Sequence, residues 1–339
     1  MMKFMGAKKM KENKLLYVPP RGIGDLVFSL PLLHSLRSAM TSATKIEIPI
    51  PNRDSLKQTL DLIGLASPCD VFLPTPSEDP LAEERWEASQ EGDSIKRYAA
   101  EKKIFEKYLA GKFYDLAIVA KPFKINSVIA PQISRKDLEN AGFDWRKAHM
   151  VDGFLAFATY MGIPALTKFD LNFDKTERVN LRDGRSVEIS EPYILFNLGA
   201  SGDSKKLPAG TYAEVSKWLG QKGFSSILIG TSQEHPEAVE IETLGENIVN
   251  LVSQEGLNLD LKNYATLAAQ SKGVVGGDSG LLHLADAVGV PVIGLYGPTN
   301  PAKFGPYNNL SRVVSRYDSD KDMNNISSDI VISKLEEIV

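Results

Sequence analysis

Short, nearly continuous apolar runs alternate with amphipathic stretches along most of the chain, the pattern of β-α-β units around parallel sheets covered on both faces. In the first half LLYV (15–18), KIEIPI (45–50), CDVFL (69–73) and YDLAIVA (114–120) read as strands. A glycine turn after the first strand leads into a helix over about 26–40. A later helix, about 147–161, is closed by Gly162 and the stop signal Pro164. The charged stretch 80–112 has helical composition and few β-formers, and reads as a solvated helical excursion.

The period is lost over about 171–192, a charged segment that reads as a linker. A second alternating series follows, with strands at YILFNLG (193–199), SSILIG (225–230), IVNLV (248–252), GVVGG (273–277) and PVIGLYG (291–297). Helices fill the gaps at about 209–222, 234–244, 260–270 and 280–288. The expected architecture is α/β, two Rossmann-like domains over 1–172 and 173–339. Dehydrogenases and binding proteins share that pattern, so it fixes class and not function.

Composition adds limits. A length of 339 residues suits two domains, and 43% hydrophobic with 24% charged residues suits a globular chain with a sizeable core. The net charge of −4 gives no reason to expect nucleic acid as a partner. The single cysteine, Cys69, cannot form an internal disulfide, no Cys/His cluster has zinc-ligand spacing, and this usage suits a reducing cytosol. The leader MMKFMGAKKMKENK is basic without the apolar stretch of a signal peptide, and no run is long enough to span a bilayer. Lys8, Lys9, Lys11 and Lys14 read as a solvated leader, with peripheral attraction to an anionic membrane face as the sharper alternative.

The densest chemistry lies in GGDSGLLHLADAVGVPVIGLYGPTNPAKFGPY (276–307). A buried strand ends in a Gly-Gly turn and a helix opens at Ser279, a start whose free N–H groups and dipole favour an anion. Gly276, Gly277 and Gly280 are expected to leave room for a ligand against the backbone. His283 lies four residues after Ser279 on the same side of the first turn. Asp278, just ahead of the helix, can cap it or hold a ligand hydroxyl.

This stretch resembles the D-[TS]-G-x-x-H-L-A…G-x-P-x-x-x-x-[FY]-G-P-T-x-P signature of the family 9 glycosyltransferases, the heptosyltransferases. Asp278, Ser279, Gly280, His283, Leu284, Ala285, Gly289, Pro291, Tyr296, Gly297, Pro298, Thr299 and Pro301 carry the match. LLYVPPRGIGDLVFSLPLLHSLR (15–37) is similar to the family's opening strand and the glycine turn that ends in Asp, here Arg21, Gly22, Gly24 and Asp25, followed by Pro31. NLGASGDSKKLPAGTYAEVSKWL (197–219) is similar to the loop that precedes Lys-x-[WL]-P, with Lys205 at the lysine position and Leu207 departing from the usual aromatic.

The resemblance implies the GT-B fold, with two parallel sheets facing a central cleft and the last helix, about 327–338, a candidate to cross back onto the first domain. It implies inverting, metal-independent transfer of heptose from ADP-heptose to a lipopolysaccharide inner-core acceptor, by a cytoplasmic enzyme working at the inner face of the membrane. Asp25 takes the place of the general base, and Lys205 that of a catalytic clamp on the leaving diphosphate. Ala200, Ser201, Asp278, Ser279, Gly280 and His283 complete the donor side. Glu234 falls near the donor ribose, with Glu237 as alternative. Arg21, Gly22, Gly24 and His149 fall on the acceptor side, His149 within a basic cluster with Lys121, Lys124, Arg135, Lys136, Arg146 and Lys147. A protein or capsule acceptor, and a non-catalytic sugar-nucleotide binding protein, stay open as alternatives. A nicotinamide dehydrogenase is disfavoured, because RGIGDL lacks the third glycine of that fingerprint.

Overall fold

A computed structural model of the chain describes residues 14–18, 22–40, 45–49, 70–72, 113–121, 130–167, 192–200, 202–257 and 259–339, with scattered positions in 99–126 and 171–189. Most of the excursion at 80–112, Cys69, the basic leader up to residue 13, and the site candidates Arg21 and Ser201 lie outside the described residues. The chain divides into two compact units. The first holds Met1–Arg21, Ser29–Arg146 and Asp152–Lys168; the second holds Phe169–Val339 together with Gly22–Phe28 and Lys147–Val151.

The first unit is built on a parallel sheet of β1 (Lys14–Val18), β2 (Lys45–Pro49), β3 (Asp70–Phe72), β4 (Leu116–Val119) and β5 (Gln132–Ser134), in the order β3-β2-β1-β4-β5. The helix expected over 26–40 is two helices, α1 (Ile23–Phe28) and α2 (Leu30–Ala39), broken at Ser29. Pro31 explains the break. Its missing N–H and fixed φ cost nothing in the first turn of a new helix, where it sits, but would disrupt an uninterrupted one. α2 buries Leu30, Leu32, Leu33 and Leu36 and stays with the first unit, whereas α1 packs with the second. α3 (Arg135–Asn140) and α4 (Met150–Tyr160) follow, α4 starting three residues later than the pattern predicts.

The second unit carries β6 (Tyr193–Asn197), β7 (Ser225–Ile229), β8 (Ile248–Asn250), the small antiparallel pair β9 (Val252–Ser253) and β10 (Gly256–Leu257), β11 (Gly273–Gly277), β12 (Val292–Tyr296) and β13 (Val314–Ser315). Its six-stranded parallel sheet has the order β13-β12-β11-β6-β7-β8, the Rossmann order with its reversal between β6 and β11. Every residue of β6, β11 and β12 is buried, which is why these strands read as unbroken apolar runs. The helices are α5 (Ala209–Gln221), α6 (His235–Leu244), α7 (Leu261–Gln270), α8 (Gly280–Val288), the short α9 (Pro301–Phe304) and α10 (Ser328–Leu335). Local chemistry sets their ends: Asp260 accepts from Asn263 N–H to cap α7, and Gly289 takes φ 89° to close α8.

Two expectations are corrected here. The last helix, α10, packs within the second unit, burying Val331 and Leu335 in the same core as Leu219 and Leu295. The described part of the segment read as a linker belongs to that unit too: Leu171 N–H donates to Ala287 O at 2.7 Å, and Val179 and Leu181 are buried. A few apolar side chains among charged neighbours suffice to dock it.

Candidate functional site

In an open parallel sheet, ligands sit beyond the carboxyl ends of the strands where the order reverses, because the two flanking loops diverge there. In the second unit that point lies between β6 and β11. The loop after β6 ends in a turn at Asp203–Lys205, and the loop after β11 is Asp278–Ser279 ahead of α8. The two meet: Lys205 Nζ donates to Asp278 Oδ2 at 2.7 Å, and His283 Nε2 stands 3.3 Å from Asp278 Oδ1. Burial alone would raise the Asp278 carboxyl. The hydrogen bonds from His283 and Lys205 and the charge beside it outweigh burial and hold the group at about 2. As an ionised carboxylate only accepts, His283 donates from Nε2. Its ring packs on Phe28 with centroids 4.3 Å apart, and its Nδ1 is buried without a hydrogen-bond partner.

Ser279 caps α8, its hydroxyl accepting from Leu282 N–H at 3.3 Å. Asp278 is therefore not the cap. The N–H groups of Gly280 and Leu281 precede the helical ladder, so the positive end of a nine-residue helix faces the Lys205–Asp278 pair. Ala200 is half-buried in the same β6 loop. The three glycines do not open space for a ligand as expected. A side chain at Gly276 would meet Asn197 Cβ at 2.8 Å, one at Gly277 would meet Lys205 O at 2.7 Å, and one at Gly280 would meet Ile23 Cβ at 2.9 Å. The chain itself fills the room they leave.

The first helix was expected to open at about residue 26. α1 starts at Ile23 instead, so Asp25 lies inside its first turn and reaches back to Gly22 N–H at 3.3 Å, half of a capping box. Gly22 and Gly24 are half-buried, and α1 packs on α8: a Cβ on Gly24 would stand 3.0 Å from His283 Cδ2. Asp25, Gly24, His283 and Asp278 are thus brought together in the second unit.

Glu234 is brought to this region in a structural capacity. It accepts from Thr231 N–H at 2.9 Å and Thr231 Oγ1 at 2.7 Å in a capping box, and pairs with Lys206 Nζ at 3.0 Å, only 2% of its side chain exposed. Burial would raise its carboxyl, but these partners lower it. Glu234, expected near the donor ribose, is thus held by Thr231 and Lys206. Glu237 differs: burial lifts its carboxyl to about 7, against the pull of Lys206, and its Oε1 is buried without a partner.

His149 is not part of a basic surface. It is 8% exposed, its Nδ1 accepts from Val151 N–H at 3.2 Å, and its Nε2 lies 3.0 Å from Gly305 O. A backbone donor at one nitrogen and a carbonyl at the other define the neutral Nε2–H tautomer, which leaves neither nitrogen for an anion. Of the rest of that cluster, Lys124 pairs with Asp137 at 3.2 Å, Arg135 with Glu139 at 3.1 Å, and Lys121 is buried. Lys136, Arg146 and Lys147 are exposed.

Several contributors gave no separable signal in the sequence. Phe28 stands between His283 and His149, 5.5 Å from the latter ring. Fully buried Asp286 accepts from Asn308 N–H at 3.0 Å and Asn309 Nδ2 at 2.7 Å, fixing the loop whose Tyr307 packs on His149. Asn197 Nδ2 donates to Tyr264 Oη at 2.7 Å, and Tyr264 Oη to Leu281 O at 2.9 Å, bracing the end of β6 against α8. Among the described residues no group of three or more His, Cys, Asp or Glu side chains could hold a metal, and no helix is long and apolar enough to cross a membrane.

The model of glycosyltransferase family 9 (heptosyltransferase) matches residues 109–329, more than half of the chain. The lipopolysaccharide core heptosyltransferase OpsX of Haemophilus influenzae is 33% identical over 175 residues, 50% of this chain and 48% of that protein. The chain spans about half the length of the curated relatives it matches there. Among solved structures, E. coli heptosyltransferase WaaC with ADP superposes with a TM-score of 0.68 at 18% identity, over 96% of this chain and all (100%) of that one. A family 9 glycosyl transferase from Veillonella parvula gives 0.70 at 17% identity, over 98% of both chains. These likenesses give the fold, GT-B.

Proposed function

The chain belongs to glycosyltransferase family 9, and on that premise we propose that it transfers heptose from ADP-heptose to the inner core of a lipopolysaccharide acceptor, with inversion and without a metal. The observation that carries the reading is the Lys205–Asp278–His283 cluster facing the α8 terminus at the β6/β11 reversal. Lys205 has three N–H donors and Asp278 takes one, so two are left for a diphosphate while the carboxylate holds the ammonium in place. The α8 N–H groups supply further donors, and charge developing on the leaving group is stabilised by groups already oriented.

In the proposed step Asp25 takes the proton of the acceptor hydroxyl. The hydroxyl oxygen forms its bond to the anomeric carbon from the face opposite the diphosphate. The bond from that carbon to the diphosphate oxygen breaks, and ADP leaves with the electron pair. One displacement inverts the centre and needs one base. The donor is held by residues 173–339 and the acceptor by the amino-terminal half. An acceptor anchored in a membrane would bring the enzyme to that surface peripherally.

The test is turnover with defined substrates. The purified chain, ADP-heptose and a heptose-deficient inner-core acceptor should yield ADP and an acceptor heavier by one heptose. Stabilisation by ADP with no transfer to any inner-core acceptor would leave a sugar-nucleotide binding protein, or an enzyme for a different glycan.

A further inference from the structure

The geometry points to the missing side chain of Gly280 as what positions Asp25, a role separate from the donor that its backbone N–H supplies and that an alanine would keep. The inference rests on the reading of Asp25 as the base. The first turns of α1 and α8 meet at two glycines. A Cβ on Gly280 would lie 2.9 Å from Ile23 Cβ, 3.1 Å from Ile23 Cγ2 and 3.2 Å from Gly24 N. A Cβ on Gly24 would lie 3.6 Å from Gly280 Cα and 3.0 Å from His283 Cδ2. Cβ atoms do not approach backbone and branched carbons that closely, so the missing side chain of Gly280 seats α1. No other glycine of the β11–α8 turn touches α1: Gly276 faces Asn197 and Gly277 faces Lys205.

α1 is six residues long and has little stability of its own. Its position comes from what it packs on. One side is the Gly280 seam. The other is Phe28, its ring 4.3 Å from that of His283 and 5.5 Å from that of His149, and His149 is itself fixed between Val151 N–H and Gly305 O. Asp25 sits between these two supports, one residue after Gly24. The place of its carboxylate relative to Asp278 and His283 is therefore set by how closely α1 approaches α8. A methyl group on Gly280 pushes the whole first turn of α1 outward and carries Asp25 with it. Misplacing a catalytic group by about 1 Å costs on the order of a hundredfold in rate.

The test is Gly280→Ala, alone and with Ile23→Gly, which removes the two closest atoms. Gly280→Ala should bind ADP as the wild type does and lose about a hundredfold in kcat, and adding Ile23→Gly should restore most of that loss. Ile23→Gly alone, which cannot clash, should lower kcat modestly with ADP affinity kept; it carries the test if Gly280→Ala does not fold. The inference is overturned if Gly280→Ala loses ADP affinity in step with kcat, which would return the glycine to the ligand. It is equally overturned if kcat is unchanged or if Ile23→Gly gives no rescue. Failure of the base reading registers separately, as wild-type turnover by Asp25→Asn.

Discussion

Replacing Asp278 by asparagine removes the one carboxylate that Lys205 and His283 share. In the folded chain that carboxyl falls from 3.8 to about 2, burial opposing the fall and the His283 and Lys205 partners producing it. The side chain is only 15% exposed, so solvent screens the interaction little. At about 1.4 kcal/mol for each pH unit, the ionised carboxylate contributes on the order of 2 kcal/mol of stability at pH 7. The sign follows from proton counting. Between about pH 2 and 4 the unfolded chain binds more protons than the folded one, so stability rises with pH there. The contribution is complete above about pH 5, roughly half gone by pH 3, and lost as pH falls through 2. Urea unfolding of the wild type and Asp278→Asn, followed by circular dichroism at pH 7, 5, 4 and 3, measures the difference directly. It should be near its full size at pH 7 and 5 and shrink by pH 3. A difference equal at pH 7 and pH 3, or absent at pH 7, refutes the reasoning.

Glu237 works in the other direction. Burial raises its carboxyl from 4.5 to about 7, so the folded state holds the extra proton and stability falls as pH rises through that window. Glu237→Gln should therefore raise the melting temperature at pH 8 and leave it nearly unchanged at pH 5, as a thermal scan at both values will show. Lys205→Ala should weaken ADP binding measured by calorimetry and slow transfer; wild-type affinity would move the clamp to another cation, Lys206 first. Transfer assayed with EDTA should proceed at the rate without it, and strict dependence on Mg²⁺ or Mn²⁺ would contradict the role given to Lys205 and α8.

The parts of the fold that follow from local rules were legible in the sequence. α5 to α8 fall within a residue of their expected limits, because amphipathic period, an Asp260 cap and a closing Gly289 mark them. β5 and β13, three and two residues long, have no apolar run to announce them. The break at Ser29 was hidden because the residues around it stay apolar in helical period, and the meaning of Pro31 depends on which turn it occupies. Glu234 carried a readable signal, Thr231-x-x-Glu234 ahead of α6, which marks a capping box as plainly as a ligand site. The glycines at 276, 277 and 280 mark close approach in the sequence, but whether a ligand or the chain approaches is decided by tertiary packing. The Lys205–Asp278 pair joins residues 73 apart and becomes a single site only through the strand order.

The central claim is that Asp25 removes the acceptor proton, and Asp25→Asn tests it most directly. Asparagine is nearly the size of aspartate and its side-chain oxygen can still accept from Gly22 N–H, but it cannot take a proton at neutral pH. The variant should melt close to the wild type and bind ADP with unchanged affinity. Its transfer of heptose from ADP-heptose should fall by about 10²–10⁴-fold, the range expected for loss of a general base. Turnover near the wild-type rate, measured as ADP released per acceptor modified, would contradict the account and leave Asp25 as a helix-terminus residue.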